Sequence, residues 1–172
     1  MTARRRAVLA IGSNLGDRLG TLQRCVQAIG RIGDTEVLAI SPVYQTAPVG
    51  GPPQPDYLNA VLIADTGLAP GDLLRAAHRI EAEFGRVRDV RFGPRTLDID
   101  IISYSGEVSS DAVLTLPHPR AHERAFVLAP WHDVDPDAVL PGHGPVAALL
   151  AATDQSGIRR SPGKLTIPRE DG

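Results

Sequence analysis

Lysine occurs once in the chain, at Lys164, and cysteine once, at Cys25. With one lysine and no Gly-x-x-x-x-Gly-Lys-Ser/Thr run, neither a P-loop nor a protein-kinase lysine is available to hold phosphates. Cys25 falls with Leu22, Val26 and Ile29 on the apolar side of a predicted helix, which assigns it to core packing. No Gly-x-Ser-x-Gly elbow or reactive-cysteine signature occurs, so hydrolase and thiol chemistry recede. Charge of one sign is also missing: the net charge of -2 and pI near 6.2 argue against a general nucleic-acid or anionic-membrane binder, and any anion site must be local. There is no long hydrophobic run. The basic start, Arg4-Arg5-Arg6, leads into an apolar stretch over residues 7–11 that Gly12 breaks too early for a signal peptide or membrane span, so a cytoplasmic location is expected. Aromatic residues make up only 4% of the chain, which draws attention to those beside loops, namely Tyr57, Phe92 and Phe126.

What remains is an ordinary globular composition, 42% hydrophobic and 22% charged, in a length that suits one domain. Residues 7–11 read as a buried strand, and residues 12–17 as a turn whose Asp17 caps a helix running to about Ile32. Strands are expected over residues 37–46 and 57–65, separated by a Pro- and Gly-rich loop. Pro70 opens a second helix that Gly85 stops. An arginine-rich loop over residues 86–95 precedes a strand over residues 96–104; short strand-like pieces and two short helices, near residues 123–131 and 145–152, complete the reading. The order strand, helix, strand, strand, helix, strand predicts an α+β fold, a ferredoxin-like antiparallel sheet with helices on one face. Residues 1–152 are taken as the single domain and 153–172 as an appended C-terminal tail without periodicity.

The strongest local signal for chemistry is Leu97-Asp98-Ile99-Asp100-Ile101. A strand's period of two sends the apolar residues to one face and both carboxylates to the other, with Cα atoms about 6.6 Å apart. Two acids aimed at one place repel, and a hard cation with oxygen preference relieves the repulsion; magnesium fits best. Just upstream, Arg86, Arg88, Arg91 and Arg95 supply guanidinium forks that match phosphate oxygens. The combination suits a polyphosphate held by arginines at one end and metal at the other. Gly12-Ser13-Asn14-Leu15-Gly16 reads equally as an anion cradle at a helix start or as a simple chain reversal. Asn59, two residues beyond Tyr57 on the same strand face, is placed to pair with a ring amide. His118 and His122 have metal-like spacing, but Pro119 interrupts a helix there and no third ligand stands nearby, so His118 is read as pointing a ring nitrogen at a phosphate.

Taken together, Gly12-Ser13-Asn14-Leu15, Gln54-Pro55-Asp56-Tyr57-Leu58-Asn59-Ala60, Arg79-Ile80-Glu81, Gly85-Arg86-Val87-Arg88, Gly93-Pro94-Arg95-Thr96-Leu97-Asp98-Ile99-Asp100 and Pro117-His118 resemble the pterin pyrophosphokinase family of folate biosynthesis over most of residues 7–141. The resemblance implies transfer of pyrophosphate from ATP to 6-hydroxymethyl-7,8-dihydropterin with release of AMP; a monomer that binds neither nucleic acid nor membrane is expected. It further implies that Asp98 and Asp100 bind two magnesium ions, and that Arg86 and Arg95, helped by Arg88 and Arg91, neutralise phosphate charge. Tyr57 and Phe126 would sandwich the pterin, with Gly12, Phe92, Asn59 and the backbone from Thr46 to Val49 beside it. Glu81, His118 and Arg124 would contact the nucleotide. The chain departs from the family pattern at Phe92, where tryptophan is common, at Ala47, which replaces a proline, and in an arginine loop one residue shorter. Two other readings share the bottom-up features: a Mg-ATP transferase acting on another heterocycle, and an RNA-binding module on a ferredoxin-like sheet. The second lacks the aromatic pairs that such a module places on its central strands.

Overall fold

The fold is known from a computed structural model, which describes residues 3–48, 51–85 and 97–168. In chain order the elements are β1 (Arg5–Ser13), α1 (Arg18–Gly30), β2 (Thr35–Ile40), β3 (Tyr44–Thr46), β4 (Tyr57–Thr66), α2 (Pro70–Glu83) and β5 (Asp98–Tyr104). There follow a small hairpin of β6 (Ser109–Ser110) and β7 (Thr115–Leu116), a 3-10 turn (Ala121–Glu123), α3 (Ala125–Val134), a second hairpin of β8 (Val139–Leu140) and β9 (Gly144–Pro145), α4 (Val146–Ala151) and β10 (Ile158–Arg160). The main sheet runs β10-β3-β4-β1-β5, with β2 also paired to β4, and all its pairings are antiparallel.

The local signals act as expected at most element ends. Asp17 accepts a hydrogen bond from the Gly20 amide at 3.1 Å and starts α1, and Pro70 occupies the first turn of α2, where its missing N–H costs nothing. Gly85 leaves α2 at φ +74°, a conformation that glycine adopts without strain. The single strand expected over residues 37–46 is two strands. Pro42 cannot donate to a ladder, and Ser41 takes over: its amide donates to Val61 O and its hydroxyl accepts from Val61 N, both at 2.9 Å. The expected helix near residues 123–131 is likewise split, because Arg124 is extended between the 3-10 turn and α3.

Helices cover both faces of the sheet, whereas the order of elements predicts cover on one face only. Ala7, Leu9, Ile11, Leu62, Ile99 and Ile101 pack beneath α1 and α2, while Val8, Val61, Ile63 and Ile102 pack beneath α3 together with Leu140 and Val146. The physical reason is visible in β4, buried at seven successive positions from Leu58 to Ala64: a central strand covered twice reads as a continuous apolar run. Within the stretch expected to be a tail, Ile158–Arg160 adds β10 to the edge of β3, and Thr166 exchanges two backbone hydrogen bonds with the Gln23 side chain of α1. A three-residue strand is too short to leave a periodic signal.

Candidate active site

The site follows from carrying the strand period across the whole sheet. On the face under α3, β1 presents Val8, Ala10 and Gly12; β4 presents Tyr57, Asn59, Val61 and Ile63; β3 presents Tyr44 and Thr46; and β5 presents Asp98, Asp100 and Ile102. Register aligns them, with Gly12 opposite both Asn59 and Asp98, Ala10 opposite Asp100, and Thr46 opposite Tyr57. α3 covers the apolar half of this face. The polar half forms the floor of a cavity of about 790 Å³, whose walls are Arg120, Glu123, Arg124 and Phe126 near the start of α3, the stretch Thr46-Ala47-Pro48, and the loop 154–158. A volume in that range takes a small heterocycle and a nucleotide chain rather than a macromolecule.

The cavity has two chemically different ends. At one, Asn59 Nδ2 donates to Thr46 Oγ1 at 2.7 Å, both residues being buried, and Asn59 Oδ1 lies against Gly12 so closely that a Cβ there would stand 2.6 Å from it. Tyr57 and Phe126 line the same cavity, which gives flat apolar walls next to an amide with defined orientation. At the other end, Asp98 and Asp100 are half-buried on β5. Burial holds the Arg124 guanidinium below its ordinary pKa, and the carboxylates of Asp100, then Glu123 and last Asp98, work in the opposite direction. His118 is lowered by burial, against the pull of Asp100 and with the push of Arg124 and Arg120. Asp100 is therefore within electrostatic reach of both groups.

Among the described residues no group of three or more His, Cys, Asp or Glu side chains converges. A cation at the Asp98–Asp100 edge would thus draw on two carboxylates there, with its remaining positions left to water and ligand oxygens. That donor set fits magnesium, which keeps waters and combines one or two carboxylates with substrate phosphates, and it does not fit zinc.

Of the residues singled out by sequence, the cavity brings together Gly12, Thr46, Tyr57, Asn59, Asp98, Asp100, Arg124 and Phe126. Val49, Arg86, Arg88, Arg91, Phe92 and Arg95 lie outside the described residues. Two lie off the cavity. Glu81, 3% exposed on α2, accepts the Ile99 amide at 3.0 Å and so supports the edge strand between the two acids instead of facing a nucleotide. The His118 amide donates to Ile102 O at 2.9 Å, and its Nδ1 accepts from the Arg120 amide at 3.2 Å. Sequence reasoning missed Ala10, Arg120, Glu123 and the loop 154–158. Ala10 follows from the period of two counted back from Gly12, whereas the loop carries no signal. The Gly12-Ser13-Asn14 turn ties the loop before β4 to the end of β1, because Asn14, fully buried, donates to Gln54 Oε1 at 2.8 Å and to Pro55 O at 3.1 Å.

An α+β chain with an acidic edge beside a flat-walled amide pocket has the site of an enzyme that joins an anionic donor to a planar acceptor. Residues 8–136 match the family model described as 7,8-dihydro-6-hydroxymethylpterin-pyrophosphokinase, and the chain belongs to this family. It is 44% identical over 158 residues to the 2-amino-4-hydroxy-6-hydroxymethyldihydropteridine pyrophosphokinase of Pseudomonas aeruginosa, covering 92% of this chain and 98% of that one. It is 46% identical over 159 residues to the enzyme of the same name from Mycobacterium tuberculosis, covering 85% and 82%. The solved HPPK-DHPS of Plasmodium falciparum shares the fold, with a TM-score of 0.69 at 13% identity over 87% of this chain and 42% of that longer one. No helix among the described residues is long and apolar enough to cross a membrane.

Proposed function

We infer that the chain transfers the terminal pyrophosphate of ATP to the hydroxymethyl group of 6-hydroxymethyl-7,8-dihydropterin, releasing AMP, as a step of folate biosynthesis in the cytoplasm. The observation that carries this reading is the two-ended cavity, with Asn59, Tyr57 and Phe126 at one end and Asp98 and Asp100 at the other, in a chain of this family. The hydroxymethyl oxygen attacks the β-phosphorus, the bond from that phosphorus to the oxygen it shares with the α-phosphorus breaks, and AMP leaves with that oxygen while the hydroxyl proton is lost. Asp98 and Asp100 would hold two magnesium ions, which would supply charge neutralisation at the phosphates and Lewis acidity toward the acceptor hydroxyl. Tyr57 and Phe126 sandwich the ring, and Asn59, fixed by Thr46 and Gly12, reads its edge with the backbone from Thr46 to Val49; Phe92 is a further substrate-binding residue. Arg86 and Arg95, with Arg88, Arg91, Arg124 and His118, bind the triphosphate and stabilise charge as it moves. Glu81 acts through the β5 backbone. The strand order β3-β4-β1-β5, all antiparallel, supports a ferredoxin-like core; β10 and the loop 154–158 complete the domain built from residues 1–152, which works as a monomer without nucleic acid or membrane. The test is product analysis with ATP, magnesium and the hydroxymethyl pterin. AMP forming one for one with a pyrophosphorylated pterin is expected; ADP as the stoichiometric product would replace this reading with that of a monophosphoryl kinase.

A further inference from the structure

Behind the cavity, three segments far apart in sequence meet at one carboxylate. The Tyr44 hydroxyl of β3 donates to Asp133 Oδ2 of α3, and the Arg160 guanidinium of β10 pairs with Asp133 Oδ1 at 2.9 Å. Arg160 Nε also donates to the Tyr44 hydroxyl at 3.3 Å, and Arg160 lies opposite Tyr44 in the β10–β3 register. Each member of the cluster lies on the same element as a cavity residue. Tyr44 is two residues from Thr46, and Arg160 is two from Ile158, so each shares a strand face with its cavity neighbour. Asp133 is seven residues, two helical turns, beyond Phe126 on α3. The same clasp is drawn tight by the backbone, since the Ala47 amide donates to Gly157 O at 3.3 Å and the Ser161 amide to Val43 O at 2.8 Å.

We propose that Asp133 is a positioning residue for the heterocycle end of the cavity: by holding Tyr44 and Arg160 together it fixes β3, α3 and the loop 154–158 as three walls around the ring. This rests on the reading of the cavity given above. β3 has only three residues, and it carries Thr46, the partner of Asn59, so a shift of β3 would turn the amide that reads the ring. The acids of β5 lie on the opposite side of the sheet order, with β4 and β1 between, and are insulated from such a shift. The consequence is a split between substrates. Loosening the clasp raises the KM for the pterin and leaves both the KM for ATP and kcat near wild type, because the moved walls touch the ring in ground state and transition state alike.

The experiment uses the full chain, with wild type, Asp133→Asn, Tyr44→Phe, Arg160→Gln and the double variant Asp133→Asn/Arg160→Gln. KM for 6-hydroxymethyl-7,8-dihydropterin is expected to rise about tenfold in Asp133→Asn, the size of one lost hydrogen bond, with KM for ATP and kcat within about twofold. The double variant should be no worse than Asp133→Asn alone, since both remove one interaction. An equilibrium titration of the pterin without ATP should show the same weakening. Should Asp133→Asn fail to fold, Arg160→Gln, whose side chain is 61% exposed, still gives the readout. An unchanged pterin KM, or equal rises for both substrates, would overturn the proposal. Failure of the wild type to form AMP with this pterin would instead overturn the function on which it rests.

Discussion

A methyl group added at Gly12 would meet Asn59 Oδ1 at 2.6 Å, and the amide cannot retreat without leaving Thr46 Oγ1. Gly12→Ala is therefore expected to raise KM for the pterin by about tenfold, the equivalent of one hydrogen bond of roughly 1.4 kcal/mol, with little change in KM for ATP. Steady-state kinetics with each substrate varied in turn checks it; a uniform loss would mean that the backbone moved instead. Asp98 and Asp100 make a second case in which a single atom type decides. Asparagine keeps the size and hydrogen bonding of aspartate but gives up the charge that balances a divalent ion, so Asp98→Asn and Asp100→Asn should each lower kcat by about a thousandfold, roughly 4 kcal/mol. Residues that act as one unit are non-additive, so the double variant should be scarcely slower than the weaker single one. Melting temperature should hold or rise in magnesium-free buffer, because the two carboxylates repel when no cation lies between them. Near-normal turnover in either single variant would remove the pair from the reaction.

Among the elements, β5 is the one on which the acids depend. It pairs with β1 on one side, and on the other the Ile99 amide is received by Glu81 of α2, a carboxylate 3% exposed. Removing that acceptor leaves a buried N–H without a partner at a cost of about 1–3 kcal/mol. Glu81→Ala should lower Tm and activity together, whereas Glu81→Gln, which keeps an acceptor oxygen, should lose much less of both. Glu81 also acts on α1, where the Cys25 thiol is pushed well above its ordinary range, first by burial and then by that carboxylate. The native thiol stays protonated while the unfolded one ionises near pH 9.0, so this contribution to stability is present below pH 9 and is lost as pH rises above it. Thiol-specific labelling of Cys25 at pH 8 should consequently follow global unfolding and be negligible in native protein. The elements were legible from sequence where one physical signal dominated: Asp17 and Pro70 opened their helices, Gly85 closed one, and the alternation in Leu97-Asp98-Ile99-Asp100-Ile101 gave β5 its two faces. Signals that depend on neighbours were not legible. Ser41 replaces a ladder acceptor only because Val61 lies opposite; Glu81 serves β5 from α2; and β10 exists because β3 offers an unpaired edge. For the site, the strand-borne residues emerged from motif and period, while the loop 154–158 becomes a wall only once the chain has returned to β3.

At the scale of the whole molecule, the cavity is assembled from residues as far apart as Ala10 and Ile158, drawn from five strands, the start of α3 and the loop that leads into β10. No fragment of the chain holds this arrangement, so a ligand that touches several walls binds the native state and not the unfolded one, and its binding energy becomes folding energy. At a hundredfold excess over Kd the gain is about 2.7 kcal/mol, which for a domain of this size corresponds to a rise in Tm of roughly 5–10 °C. The two ends of the cavity predict how the rises combine. The hydroxymethyl pterin alone should raise Tm, since its walls are formed by Thr46, Tyr57, Asn59 and Phe126 without help from metal. A non-hydrolysable ATP analogue should raise it only with magnesium, because without the cation its phosphates face Asp98 and Asp100 directly and are repelled. In Asp100→Asn the pterin shift should persist while the magnesium dependence of the nucleotide shift shrinks. Thermal melts of wild type and Asp100→Asn, each with pterin, analogue, analogue plus magnesium, and both ligands together, measure all of these. Loss of the pterin shift in Asp100→Asn would mean that the two ends are not separate and that the acids also hold the ring; an analogue shift equal with and without magnesium would place the triphosphate away from β5.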